Sequence, residues 1–322
     1  MTLYNKGLIS IWQLSLKVLW LILKKAKLVA SLVLNVPYGG VFMPPAVIKH
    51  LGFATEELGW ENFRLADPLL LQVLTQASQG TTLNGSLGEK VIPKRTLISY
   101  RFSPLVADPL GTLAQELGDK EATGPSFISL STMGKPISPW KDQEGEFIIK
   151  KSVEPYLAEL ENSCRKGLEE DTLVLLISFR SYASKPWNYE NERRYPRPQI
   201  AIGTHSEKKS PKGLAEFLGK TFKVFNFWPE LNWPHKGAFL PQDLLALPRL
   251  FAVNISFRKD LYMNEQTGKL APSAESFTRV LMTIFSLLDQ ELDTVIKIRK
   301  RRKYPPKPPK APSNVIKLKN ED

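Results

Sequence analysis

The sequence predicts a single α/β domain over residues 27–296, a mostly parallel mixed sheet with helices on both faces. Three observations carry that prediction. Strand-like and helix-like segments alternate along the chain. Several strand segments are apolar throughout rather than at every second residue, so both of their faces must be buried. At 322 residues, 43% hydrophobic and 24% charged, the chain has ample apolar material for one core.

The elements follow in order. Lys27–Val36 is an apolar run closed by the turn Pro37-Tyr38-Gly39-Gly40. Asp67–Ser78 reads as a helix, with Asp67 as N-cap and Pro68 at the first helical position. Lys94–Phe102 reads as a strand. Val153–Leu168 reads as a helix with Leu157, Leu160 and Cys164 on one face. Thr172–Phe179 and Gln199–Gly203 are strands, Pro211–Leu218 a helix, Phe222–Phe227 and Leu250–Phe257 strands. Glu275–Lys297 is a helix with apolar residues from Phe277 to Val295 at helical spacing. Sites in such sheets lie beyond the carboxyl ends of strands, which points to the loops after Val36, Phe179, Gly203 and Phe257.

Charge separates the ends from the body. The net charge is +12, yet residues 1–35 hold five lysines and no acid, and residues 297–322 hold ten basic residues against Glu321 and Asp322. Residues 36–296 are therefore close to neutral. That excludes a basic groove spread over the fold, as a dedicated nucleic-acid enzyme requires, and marks two appendages instead.

Residues 1–26 form the first appendage, an amphipathic helix. Ser10, Gln13, Lys17 and Lys24 share a narrow polar stripe, while Trp12, Leu16, Leu19, Trp20 and Leu23 cover the rest, with Lys25 following. The apolar run of Leu8–Leu23 is about 24 Å long as a helix, short of a hydrocarbon core of about 30 Å. With Lys17 inside the run, a simple span is disfavoured. No small-residue cleavage site follows it, as a secretory signal needs. An interfacial membrane helix, a helix docked on a partner protein and a helix packed on its own domain all satisfy the pattern. Residues 297–322 form the second appendage. Arg299, Lys300, Arg301, Arg302 and Lys303 precede a proline-rich stretch ending at Pro312, an extended basic tail suited to acidic lipid, nucleic acid or an acidic partner. Its Pro-x-x-Pro spacing also suits an aromatic proline-binding groove.

Soft metal ligands are scarce: three histidines (His50, His205, His235) and one cysteine, Cys164, which has no partner for an internal disulfide. His205-Ser206-Glu207 and His235 read as loop residues. No phosphate-cradling glycine loop, CxxC pair or internal repeat is present.

Two segments carry a resemblance. Arg197-Pro198-Gln199-Ile200-Ala201-Ile202-Gly203 and Leu261-Tyr262-Met263-Asn264-Glu265 resemble the Arg-Pro-Asp-Ile-x-Leu-Gly strand and Leu-Tyr-Met-x-Glu segment of the N-formylglutamate amidohydrolase family. The likeness extends over roughly Leu28–Leu288, resting before Arg197 mainly on Val36-Pro37-Tyr38-Gly39-Gly40. It implies a fold similar to the zinc carboxypeptidases (phosphorylase/hydrolase-like), with an eight-stranded mixed sheet and zinc at the strand ends.

Position by position, the resemblance also implies that the chemistry is missing. The family's first metal-binding histidine matches Tyr38. Its second matches Arg180, within Ser178-Phe179-Arg180-Ser181, and its general-base glutamate matches Ser256. Its Asp-x-Asn-Arg segment, expected after Arg101, is replaced by Leu105-Val106-Ala107-Asp108. Asp67 keeps an acidic ligand position. A guanidinium that cannot deprotonate repels a cation, so no metal is expected, and Arg180 instead implies a bound anion or a neighbouring carboxylate.

The expectation is a catalytically inactive member that binds or scaffolds a protein partner or larger assembly, cytoplasmic, with peripheral contact to a membrane as an option. The alternative is an active deformylase-type amidohydrolase on an N-acyl amino acid, with a rearranged zinc site. Binding candidates are Arg101 and, in the loop that would cover the site, Trp187, Tyr189, Arg193, Arg194 and Tyr195.

Overall fold

The computed structural model describes residues 30–51, 55–79, 95–110, 129–130, 136–137, 142–171, 173–187, 194–204, 209–210, 212–237 and 240–296. Both appendages, Tyr189, Arg193 and His205–Glu207 lie outside these residues. Among the described residues, no helix is long and apolar enough to cross a membrane.

The main sheet is built from β1 (Ala30–Val36), β2 (Arg95–Ser99), β5 (Leu173–Tyr182), β6 (Ile200–Gly203), β7 (Pro229–Leu231) and β8 (Leu250–Arg258), in the order β2-β1-β5-β8-β6-β7. β2, β1, β5 and β8 run parallel; β6 is antiparallel to β8, and β7 is parallel to β6. The fold is thus the mostly parallel mixed sheet expected. It has six main strands among the described residues, where the resemblance implied eight. Two short pairs stand apart, β3 (Ser129–Leu130) with β4 (Pro136–Ile137), and β9 (Met263–Asn264) with β10 (Lys269–Leu270).

Helices cover both faces. Along β5, residues 173, 175, 177 and 179 alternate with 174, 176, 178 and 180, and the two sets enter different layers. The first set packs with β8 residues Val253, Ile255 and Phe257 against α3 (Pro68–Ser78), α6 (Lys212–Val224) and α8 (Ala274–Ile296). This layer is aromatic: Phe257 lies 5.0 Å from Phe277 and 5.8 Å from Phe179, centroid to centroid. The second layer packs Val33, Val174, Leu176, Leu250 and Ala252 against α5 (Glu154–Glu170) and α7 (Gln242–Ala246). Cys164 belongs to it, and burial pushes its thiol up to about 12. α4 (Asp142–Ile148) leads into α5 through a π-helical turn, while α1 (Pro45–Leu51) and α2 (Thr55–Leu65) follow β1.

Local sequence explains most boundaries and two discrepancies. Phe222–Phe227 is not a strand. α6 runs through Val224, Phe222 packs in the first layer, and Asn226 turns the chain at φ 62°. The edge strand follows at Pro229–Leu231, where Pro229 suits a position with no ladder partner on its outer side. Phe222–Phe227 holds four apolar side chains among its six residues, and so short a segment fits a helix end as well as a strand, so periodicity cannot separate the two. The β6 reversal also moves an expected site. The carboxyl end of β6 points away from those of β1, β5 and β8, so the loop after Gly203 starts at the wrong edge.

Candidate functional site

β1, β5 and β8 deliver their carboxyl ends to one edge, and the residues after them meet there. The turn after β1 is closed by Gly39 N donating to Val36 O at 3.1 Å. Gly40 lets it lie against the β2 extension, since a Cβ there would sit 2.0 Å from Arg101 O. Phe42 and Phe102 continue the parallel pairing beyond this point. Tyr38 is thereby fixed, and its hydroxyl donates to Asp108 Oδ1 at 3.0 Å. Burial, and next the charge of Asp108, hold the phenol well above its usual pKa, so it stays a neutral donor.

Asp67 is joined to the same turn, its amide donating to Tyr38 O at 2.6 Å. It stands at the N-cap position before Pro68, yet its side chain makes no capping bond. The carboxylate instead accepts from Ser181 N at 3.1 Å and from Ser181 Oγ, and it pairs with Lys259 at 3.3 Å. Both ions are buried. Lys259 also donates to Arg64 O and Ala66 O, so all three ammonium protons have acceptors. The N-cap expected from sequence is replaced by this buried lock between α3, β5 and the turn after β8.

Arg180 lies near the carboxyl end of β5, in register with Ser256 on β8. Its Nη2 donates to Gly237 O at 3.0 Å, and its buried Nε has no partner among the described residues. Burial lowers its pKa, while Tyr38, Asp108 and Asp67 act in the opposite direction. A guanidinium remains charged through such shifts. Ser256 is fully buried. Its Oγ accepts from Asn254 Nδ2 at 2.8 Å and lies 2.9 Å from His235 Nδ1. Burial, then the charges of Arg180 and Arg197, push the imidazole well below its usual value, so it is neutral. The loop carrying His235 and Gly237 crosses β6 where a side chain would obstruct it: a Cβ on Gly203 would meet Gly237 Cα at 2.7 Å. The motif glycine thus serves close approach.

The four positions carried over from the resemblance therefore gather at one strand edge. Sequence reasoning missed several of their companions. His235 looked like a loop histidine and Asp108 like part of a lost motif; Ser181 and Lys259 carried no local signal. One cue was present: Asn254 and Ser256 alternate with Val253, Ile255 and Phe257, placing two polar residues on one face of an otherwise apolar strand.

These donors do not fit the zinc the fold family implies. Tyr38 is a neutral donor, Asp67 is already paired, Arg180 is a fixed cation and Ser256 is a hydroxyl between two partners. Zinc takes imidazole, thiolate or free carboxylate ligands. Among the described residues, no three His, Cys, Asp or Glu side chains converge to hold a metal.

A groove borders the site. Gly39, Val41, Phe42, Met43, Ile48, Leu71, Ser99 and Arg101 line a cavity of about 630 Å³. Val41 and Phe42 are each 44% exposed, and the Arg101 guanidinium lies 5.2 Å from the Phe42 ring centroid. The remaining loop candidates are placed differently. Arg194 pairs with Glu230 at 2.8 Å and lies 4.2 Å above Trp233, Tyr195 is exposed, and Trp187 is half-buried. The two motif segments are structural here. Arg197 is buried and donates to Ala183 O at 3.1 Å, Gln199 Oε1 accepts from Trp228 N at 3.0 Å, and Glu265 accepts from Ser184 N at 2.9 Å.

Comparison with known proteins agrees with this architecture. A solved N-formylglutamate amidohydrolase from Ralstonia eutropha JMP134 superposes with a TM-score of 0.62 at 17% identity, covering 84% of this chain and 96% of that one. A gene product of Agrobacterium tumefaciens superposes at 0.53 with 19% identity, covering 82% and 93%. At such identities the likeness concerns the fold. No curated relative matches in sequence. The sequence profile of the N-formylglutamate amidohydrolase family, however, matches residues 30–263, well over half the chain and the span that builds the sheet and its carboxyl edge. The chain belongs to the N-formylglutamate amidohydrolase family.

Proposed function

We propose that this family member is non-catalytic and acts as a binding or scaffolding component for a protein partner. One observation carries the reading: the fixed charge of Arg180 stands near the carboxyl end of β5 where the family pattern has a metal-binding histidine, while Asp67 is locked to Lys259 and Ser181. Amide hydrolysis of the family's kind needs a metal to acidify water and a base to take its proton. Neither role has a candidate among Tyr38, Arg180 and Ser256. The groove with Arg101 and the loop with Trp187, Arg194 and Tyr195 offer surface beside the edge for a partner. The basic tail and the N-terminal helix are proposed as tethers, to an acidic surface and to a membrane or protein respectively.

A rearranged hydrolase is the competing reading, and the His235–Ser256 contact of 2.9 Å favours it, because a neutral imidazole beside a hydroxyl is base-and-nucleophile geometry. Against it, Ser256 is 0% exposed and its Oγ already accepts from Asn254. Metal content and N-formylglutamate hydrolysis, measured on the purified full chain, separate the two. The proposal expects no stoichiometric zinc and no deformylation. Zinc at one per chain with chelator-sensitive turnover overturns it. Turnover lost on Ser256→Ala without metal establishes the rearranged hydrolase.

A further inference from the structure

An arginine at the strand edge calls for negative charge, and two side chains of this protein could supply it. Neither does so by contact. Asp67 is paired with Lys259 and bound by Ser181, and Asp108 accepts from Tyr38 OH and from Leu110 N at 2.9 Å. Among the described residues no carboxylate lies in ion-pair range of Arg180, whose contact is the carbonyl of Gly237. Its Nε–H is a buried donor without an acceptor, a costly arrangement unless a group outside the protein completes it.

The neighbouring groups are also donors. Asn254 Nδ2 donates to Ser256 Oγ, and in the His235 tautomer whose Nδ1 accepts the Ser256 hydroxyl proton, Nε2 carries the ring proton. Arg180 and His235 are held together by the same loop, since Arg180 binds Gly237 two residues beyond the histidine. Arg180 Nε–H, a buried donor without an acceptor among the described residues, thus stands beside the His235 loop where the family pattern places a cation site.

We propose that this edge is a carboxylate-binding site, with Arg180 as the principal donor and His235 Nε2–H as the second. A planar carboxylate suits the guanidinium fork, and charge-assisted bonds to it are about twice as strong as neutral ones. The proposal names the ligand chemistry of the non-catalytic site and rests on that reading only in placing no metal beside Arg180.

The test is titration of the chelator-treated full chain with acetate, using acetamide as the uncharged control. Chelation keeps the result independent of the metal and turnover assays, so failure here and failure of the non-catalytic reading are distinguishable. Acetate is expected to bind saturably in the millimolar range and acetamide not to bind. Arg180→Gln should weaken acetate at least about tenfold, as loss of a bond to a charged group implies. Arg180→Lys, which keeps the charge and loses the fork, should weaken it several-fold, and it serves if the glutamine variant does not fold. His235→Asn should produce a smaller loss. Equal binding of acetamide, absence of saturable acetate binding, or unchanged affinity in a folded Arg180 variant overturns the site and leaves bound water as the partner of Nε.

Discussion

The two faces of the central strands β5 and β8 are built from one sequence pattern and have opposite chemistry toward the carboxyl edge. On the face toward α3, α6 and α8, apolar side chains continue to the end: Ile177 and Phe179 on β5, Ile255 and Phe257 on β8. On the face toward α5, the apolar layer stops at Leu176 and Ala252, and Ser178, Arg180, Asn254 and Ser256 take over. Asn35 joins them from β1, donating to Ser178 Oγ at 3.2 Å and accepting from Tyr156 OH at 2.6 Å. A sheet that needs stability alone gains nothing from burying these groups, because each must be hydrogen-bonded to avoid a penalty. The dry face holds the fold together, and the polar half-face carries the proposed site.

The largest expected effect lies on the dry face. Phe257→Ala removes a fully buried ring that contacts Phe179, Phe222 and Phe277, and should cost about 3–5 kcal/mol in chemical denaturation. It should not alter acetate affinity in whatever fraction remains folded. A loss below about 1 kcal/mol would mean that the aromatic layer is not the main support, and the contrast between the faces would fail.

Next comes the lock at the rim. Lys259→Met leaves the Asp67 carboxylate buried without its cation, and should cost about 3 kcal/mol or more. The double variant Asp67→Leu with Lys259→Met should recover most of that loss, because a buried ion pair is often no more stabilising than apolar packing. If Asp67 were instead reserved for a metal, zinc would stabilise the Lys259→Met variant. Absence of a zinc-dependent shift in unfolding midpoint is the expected result.

How much of this was legible follows from the same contrast. The dry face was readable because burial on both sides of a parallel strand forces continuous apolar runs, as in Leu173–Ile177 and Leu250–Val253. Tyr38, Arg180 and Ser256 could be singled out because the segments that resemble the family's motifs stand in fixed order. Their partners were not readable. Asp67 with Lys259 is separated by most of the domain in sequence, and His235 reaches Ser256 only because a loop crosses β6 at Gly203. Contacts made across a sheet edge depend on strand order and on the reversal of β6, neither of which leaves a local pattern. The misread Phe222–Phe227 segment shows the same limit, since four apolar residues among six suit the end of a helix as well as a short strand.

The polar half-face also predicts a pH response that the dry face lacks. His235 is held well below its ordinary value of 6.5, chiefly by burial. Below pH 6.5 the unfolded chain takes up a proton on this imidazole that the folded protein resists, so stability falls as pH drops and recovers as it rises toward 6.5. The slope from this group approaches about 1.4 kcal/mol per pH unit once the unfolded imidazole is protonated, continuing down to the folded value. His235→Asn should remove that component from unfolding curves. A variant with the same pH slope as the parent would place the imidazole in solvent and detach it from Ser256.

The smallest stability effect is expected in the loop that borders the polar half-face, and there smallness is the informative result. Arg194 is 57% exposed at its side chain, pairs with Glu230 at 2.8 Å and lies 4.2 Å over Trp233. Exposed pairs of this kind contribute about 0–1 kcal/mol after solvent screening and side-chain entropy are counted. Arg194→Ala should therefore leave the unfolding midpoint almost unchanged and acetate affinity intact. Under the proposed scaffolding function, its expected consequence is a weaker association with the protein partner, read as reduced recovery of that partner with full-length protein from the native source, because Arg194 and the adjacent exposed Tyr195 are proposed as binding surface. A loss of several kcal/mol in stability would make the loop part of the core architecture instead, and the division between a face that folds and a half-face that binds would have to be redrawn to exclude it.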